Sequence, residues 1–197
     1  MTKLASPSSA TRERILSAAF TLFGRYWFPR ASMEDIASEA GMSRAALYLQ
    51  FRNKEDIFRE LARGLHEEAI AGAEAALGGD EAIAERLRAA VEAKTLRMIE
   101  TIQASPHGSE LMDEKNRLCG DLATNSERRF QRALGRAFKR ADEAGEIDLG
   151  AAGFTADHAA ELFASAIQGL KGPDVTMDRY RRRLDSLVKL FVRGLGE

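Results

Sequence analysis

Residues 32–51 read SMEDIASEAGMSRAALYLQF. Ser32 is a good N-cap, and Asp35 three residues on makes a variant of the capping box, so a short helix is predicted from Met33 to Ala40. Gly41 ends it, because the left-handed cap conformation costs glycine little. Ser43 then caps a second short helix, about Arg44 to Gln50. Two short helices joined by a tight glycine turn have the spacing of a helix-turn-helix. Ile36, Ala37, Ala40, Met42, Leu47 and Phe51 are the apolar set that holds the pair together, and the small Ala37 and Ala40 allow close approach. The outer face of the second helix is left to Arg44, Ala45, Tyr48 and their neighbours.

Upstream, Ile15, Ala19, Leu22 and Phe23 share one helical face, predicting a first helix from Ser8 or Ser9 to near Arg25. The aromatic turn Tyr26-Trp27-Phe28-Pro29 follows. Downstream, Asn53 caps a long helix with Lys54, Glu55 and Asp56 in its first turn. Its stripe is Ile57, Phe58, Leu61, Leu65 and Ala69, and it stops near Gly78 and Gly79. A further helix is expected from Asp80 to about Ala104, then a break at Ser105-Pro106-His107-Gly108. Residues 109–143 read as helix with Gly120-Asp121 as the point of interruption. Two helices, about Ala156 to Leu170 and about Met177 to Leu195, close the chain. No alternating apolar pattern marks a strand. The expected fold is all-α, with about nine helices. A three-helix N-terminal domain is expected over residues 9–69, and a C-terminal helical bundle over 70–197.

Composition agrees with a packed, ordered chain: of 197 residues 45% are hydrophobic and 30% charged, with only four prolines. The net charge of −1 gives no global attraction to polyanions. The charge is uneven, however. Residues 1–63 hold ten Lys/Arg against seven Asp/Glu, and residues 64–197 hold nineteen against twenty-three, so the basic excess lies with the motif. Cys119 is the only cysteine, which excludes an internal disulfide and a thiolate metal cage, and it reads as a small buried hydrophobe. His66, His107 and His158 stand in no Glu-x-x-His or His-Glu-x-x-His spacing, and no glycine-rich phosphate loop or nucleophile elbow occurs. No cofactor, metal or catalytic activity is expected. No apolar run reaches the roughly 18 residues of a membrane span, and MTKLASPSSA lacks the apolar core of a leader, so a cytoplasmic protein is expected.

The helix-turn-helix fits nucleic-acid chemistry. The first residues of a recognition helix reach base edges in the major groove. Arg44 can donate two hydrogen bonds to guanine O6 and N7, and Ala45 is small enough to meet a thymine methyl. Ser32, Tyr48 and Lys54 carry donors suited to phosphate oxygens, which fix register without reading sequence. Each has a plainer reading too: Tyr48 as a core aromatic, Arg44 and Lys54 as solvated charges, and the serines as caps.

The segment from Thr11 to about Ala69 resembles the DNA-binding domain of the tetracycline-repressor (TetR) family. The matching residues run from Arg14 through Ile15, Leu16, Ala18 and Ala19 to Leu22 and Phe23. They continue with Ser32, Met33, Ile36, Ala37, Ala40, Gly41, Met42 and Ser43, then Leu47, Tyr48 and Phe51, and end with Lys54, Glu55, Asp56, Ile57 and Phe58. By position, the resemblance implies phosphate contacts at Ser32, Tyr48 and Lys54 and base contacts at Arg44 and Ala45. It also implies backbone or base contacts, as in some members, at Ser43, Ala46 and Gln50. Two departures stand out: Trp27 replaces a usual glycine, and Gln50 stands where His or Tyr is frequent.

The resemblance further implies a homodimer through the last two helices, whose apolar faces carry basic flanks at Arg179, Arg181, Arg182 and Arg183. It implies an effector site in the C-terminal domain. Met98, Ile102, Leu111, Met112, Leu118, Phe130 and Phe163 are candidate lining residues, and Thr95, Gln103, His107 and Asn116 candidate polar anchors. The expected function is a regulator of transcription, a repressor released from palindromic operator DNA by a small molecule. The alternatives are an activator of the same fold and, more remotely, a helical interaction module without specific DNA binding.

Overall fold

The computed structural model describes residues 7–26, 28–103, 107–170 and 176–196, with side chains except at residues 7, 8, 96–103, 108, 109 and 112. Among the described residues there are eight α-helices, one 3₁₀ turn and no strand. The helices are α1 (Pro7–Arg25), α2 (Met33–Glu39), α3 (Arg44–Tyr48), α4 (Lys54–Leu77), α5 (Ile83–Gln103), α6 (Gly108–Glu143), α7 (Ala156–Gln168) and α8 (Met177–Gly194). The 3₁₀ turn, Phe28–Arg30, lies between α1 and α2. Among these helices, none is long and apolar enough to cross a membrane. The helices gather into two compact units, residues 1–66 with 98–123 and residues 67–97 with 124–197.

The first unit is built on the stripe that the sequence places on α1. Ile15, Ala19, Leu22 and Phe23 are buried together with Ile36, Ala37, Leu47, Phe51, Ile57 and Phe58. Phe23, Phe28 and Phe58 form a ring cluster, with centroids 5.0 Å apart for Phe23–Phe28, 5.1 Å for Phe28–Phe58 and 5.8 Å for Phe23–Phe58. Such tilted and edge-on arrangements suit the aromatic quadrupole. Cys119 of α6 belongs to this core and is fully buried, and Leu111, Leu118 and Leu122 of the same helix pack against the core.

Helix α6 runs through Gly120-Asp121 without ending. Its irregularity falls one residue earlier, at Cys119, where φ is −129° and ψ is 21°. Arg59 of α4 donates to the Leu118 carbonyl beside this break, and its guanidinium also pairs with Asp121 at 2.9 and 2.7 Å. An arginine fork thus serves a carbonyl at the point where helix geometry lapses.

The second unit has its own core. Leu87, Val91, Phe130, Leu134, Phe138, Phe163, Ile167, Tyr180, Leu184 and Val188 are buried in one cluster. Phe163 meets Phe191 edge-on at 5.0 Å and Phe138 near-perpendicular at 6.1 Å, and Phe138 lies 5.8 Å from Phe191. Helix α5 begins at Ile83 rather than at Asp80. The Glu146 carboxylate explains the later start: it accepts from the Ile83 backbone N–H at 2.7 Å and pairs with the buried Arg86. A carboxylate 63 residues away in sequence therefore does the capping that a local Asp would otherwise do. Arg140 closes the end of α4, donating to the carbonyls of Leu77, Gly79 and Gly78 at 2.7, 2.9 and 3.2 Å.

Candidate nucleic-acid interface

The first unit presents the helix-turn-helix on a short, heavily capped frame. Ser32 Oγ accepts from the Asp35 N–H at 3.1 Å, and the Asp35 carboxylate accepts from the Ser32 N–H at 2.9 Å. The capping box is therefore complete, with Asp in the place of the usual Glu. The Ser32 hydroxyl also donates to Asp35 at 2.6 Å, and these bonds hold the Asp35 carboxyl below the usual carboxylate range. Gly41 turns the chain with φ at 62°, a conformation that a β-carbon would strain. Ser43 Oγ accepts from the Ala46 N–H at 3.2 Å and starts α3.

Helix α3 divides into two faces. Leu47 is fully buried, and Phe51 just beyond the helix is 4% exposed. Arg44, Ala45 and Tyr48 face solvent, Tyr48 at 43% exposure. The Arg44 guanidinium lies 5.5 Å from the Tyr48 ring centroid and 3.4 Å from Glu34 of α2. That ion pair is exposed on both sides and is readily exchanged for another acceptor. Ala46 and Gln50 are partly buried at the edge of this face.

Three cations of the unit serve carbonyls at the ends of its short elements. Lys54 Nζ donates to the carbonyls of Phe28, Pro29 and Ala31 at 2.9, 3.0 and 3.0 Å, and sits 4.7 Å from the Phe28 ring centroid. Arg14 donates to the Ala40 and Gly41 carbonyls at 2.7 and 3.3 Å, closing α2. Arg12 donates to the Gln50 carbonyl at 3.2 Å and lies over the Phe51 ring at 4.3 Å, closing α3. The negative end of a helix favours a cation there. Lys54, which the sequence offers as a phosphate donor, thus has all three of its N–H groups directed at protein carbonyls.

Two features escape the sequence reading. Leu49 caps α3 and is 85% exposed beside Tyr48. Its spacing of four from Ala45 was the available signal, since that places both on one helical face. Arg52, 91% exposed, pairs with Asp56 at 3.2 Å. Arg12, Tyr48, Gln50, Arg52, Arg59 and Arg63 line a polar cleft of about 390 Å³ next to the end of α3.

The candidate effector residues fall in both units. Phe130 and Phe163 are fully buried packing residues of the second core. Leu111 and Leu118 pack on the first core. His107 lines a recess of about 330 Å³ with Tyr26, Arg30 and Glu110. Thr95 is buried, and Asn116 is exposed. Trp27 and the side chains of Met98, Ile102, Gln103 and Met112 lie outside the described residues. Among the described residues no group of His, Cys, Asp and Glu is placed to hold a metal ion.

Comparison with known proteins singles out the same segment. Residues 15–61 match the profile of "Bacterial regulatory proteins, tetR family". The chain is 36% identical over 59 residues to the HTH-type transcriptional regulator AcrR of Shigella flexneri, covering 30% of this chain and 27% of that one. It is 39% identical over 57 residues to the HTH-type transcriptional regulator TtgR of Pseudomonas putida, covering 29% and 27%. The matched segment thus spans about a quarter of the length of these relatives. Among solved structures, SmeT, the repressor of the Stenotrophomonas maltophilia multidrug efflux pump SmeDEF, superposes with a TM-score of 0.67 at 21% identity over 95% of this chain and 91% of that one. SmeT has also been solved as a complex with triclosan. The likeness to SmeT extends the shared fold to nearly the whole chain.

Proposed function

We propose that this chain, a member of the tetR family of bacterial regulatory proteins through its residues 15–61, is a DNA-binding transcriptional repressor released from a palindromic operator by a small molecule. The observation that carries this reading is the two-faced α3: Leu47 is fully buried while Arg44, Ala45 and Tyr48 stand free of the core. A helix held so firmly on one side and left open to solvent on the other suits the major groove. Residues 9–69 act as the DNA-binding domain, with Arg44 and Ala45 reading bases and Ser32, Ser43, Ala46, Tyr48 and Gln50 at the backbone. Residues 70–197 act in effector binding and dimerisation. The protein works in the cytoplasm, where the operator is.

Two-fold pairing follows from the target, because two recognition helices must meet half-sites a whole number of DNA turns apart. Release by effector requires that the small molecule bind the DNA-incompetent state better than the competent one. The complex of SmeT with triclosan supports a small-molecule effector for this fold.

The test is a selection of genomic fragments with the purified protein at near-physiological salt, read by sequencing. The expected result is one enriched palindrome. Salt-sensitive binding with no enriched sequence would overturn the proposal and leave only a generic basic face.

A further inference from the structure

The cleft beside the end of α3 holds four arginines, and their partners differ sharply. Arg12 is committed to the Gln50 carbonyl, the Phe51 ring and Glu60 at 3.7 Å. Arg59 is committed to the Leu118 carbonyl and, through both terminal nitrogens, to Asp121. Arg63 pairs with its neighbour Glu60. Arg52 is 91% exposed and meets Asp56 through a single Nε contact at 3.2 Å, so its two terminal nitrogens are turned to solvent. Its neighbours in the cleft, Tyr48 and Gln50, are donors suited to phosphate.

Resting on the DNA-binding reading above, we infer that Arg52 is the cation that neutralises a backbone phosphate beside the recognition helix, and that Lys54 is a positioning residue. A guanidinium with a free edge takes two phosphate oxygens at once, and an exposed i,i+4 ion pair is a weak competitor for it. Lys54 cannot give an N–H to a phosphate without withdrawing one from the carbonyls of Phe28, Pro29 or Ala31. Those bonds hold the turn that delivers Ser32 to the start of α2. Lys54 therefore acts on DNA through the placement of that turn.

The experiment is the salt dependence of binding to a mixed-sequence duplex, with the fragment enriched above as a second probe. Each phosphate neutralised contributes about 0.9 to the slope of log K against log salt on B-form DNA. Each protomer of the proposed dimer brings one Arg52, so Arg52→Ala should lower the slope by about 1.8 on both probes, and Arg52→Lys should restore it. Lys54→Ala should lower the melting temperature and the affinity while leaving the slope at the wild-type value. An unchanged slope in Arg52→Ala overturns the inference, and so does a slope reduced in Lys54→Ala alone. Arg52 is almost fully solvated, so loss of folding does not confuse its result. Absence of an enriched fragment would instead count against the operator reading, while the mixed-sequence duplex still decides which cation meets phosphate.

Discussion

At the scale of single residues, the interface separates side chains that read from side chains that hold. Arg44 has an exposed and exchangeable partner, so Arg44→Ala should relax preference at one base position by about 1–3 kcal/mol, measured by competition between operator variants. Equal weakening on all sequences would move it to the backbone contacts. Asp35 gives a pH signature. Its folded-state pKa is depressed by the bonds from Ser32, so the stabilisation is present above the ordinary carboxylate range and is lost as pH falls through the depressed value. Thermal melts across the acid range should show wild type losing stability that Ser32→Ala never had. Ser32, Ser43 and Gly41 were legible in the sequence because caps and left-handed turns are local events. Lys54 was legible as a cation but not as a carbonyl clamp, because its acceptors at Phe28, Pro29 and Ala31 lie 23–26 residues upstream.

At the scale of elements, one device recurs. Carbonyls at or just beyond helix ends are served by a cation from elsewhere in the chain: Arg14 for α2, Arg12 for α3 and Arg140 for α4. Arg140→Met should cost about 1–2 kcal/mol, a fall of roughly 2–8 °C in the melting temperature. A melt indistinguishable from wild type would show that solvent serves those carbonyls as well. The helices were read from period and caps, which is why α1, α2, α7 and α8 begin or end within a few residues of expectation. The start of α5 was misplaced because Glu146, not Asp80, receives the Ile83 N–H. The expected break at Gly120-Asp121 proved to be a distortion at Cys119, for glycine lowers helix propensity but does not by itself end a helix. No local pattern announces that Arg59 waits there from α4.

At the scale of the molecule, the apolar residues left outside both cores bear on assembly. Leu190 on α8 is 73% exposed and Leu162 on α7 is 40% exposed, on two helices that pack together. If these helices make the proposed homodimer, Leu190→Glu should yield monomer in sedimentation experiments. It should also weaken operator binding by about 100-fold or more, since each half-site then binds alone. A dimer that survives would relocate the interface. The sequence showed the stripes of α7 and α8 but could not sort intrachain from interchain residues, because both are apolar at the same period.

The first unit takes residues 98–123 as well as the N-terminal segment, and Cys119 is buried in its core. A ribosome finishing codon 66 must therefore translate a further stretch before that core can close, a delay of about 3–11 seconds at ordinary elongation rates. Truncation alleles carry the same information. A stop codon anywhere between 67 and 118 should release a nascent chain with an open apolar wall, cleared by proteases, and not a freestanding DNA binder that ignores its effector. Nonsense mutations in that interval are expected to behave as recessive nulls.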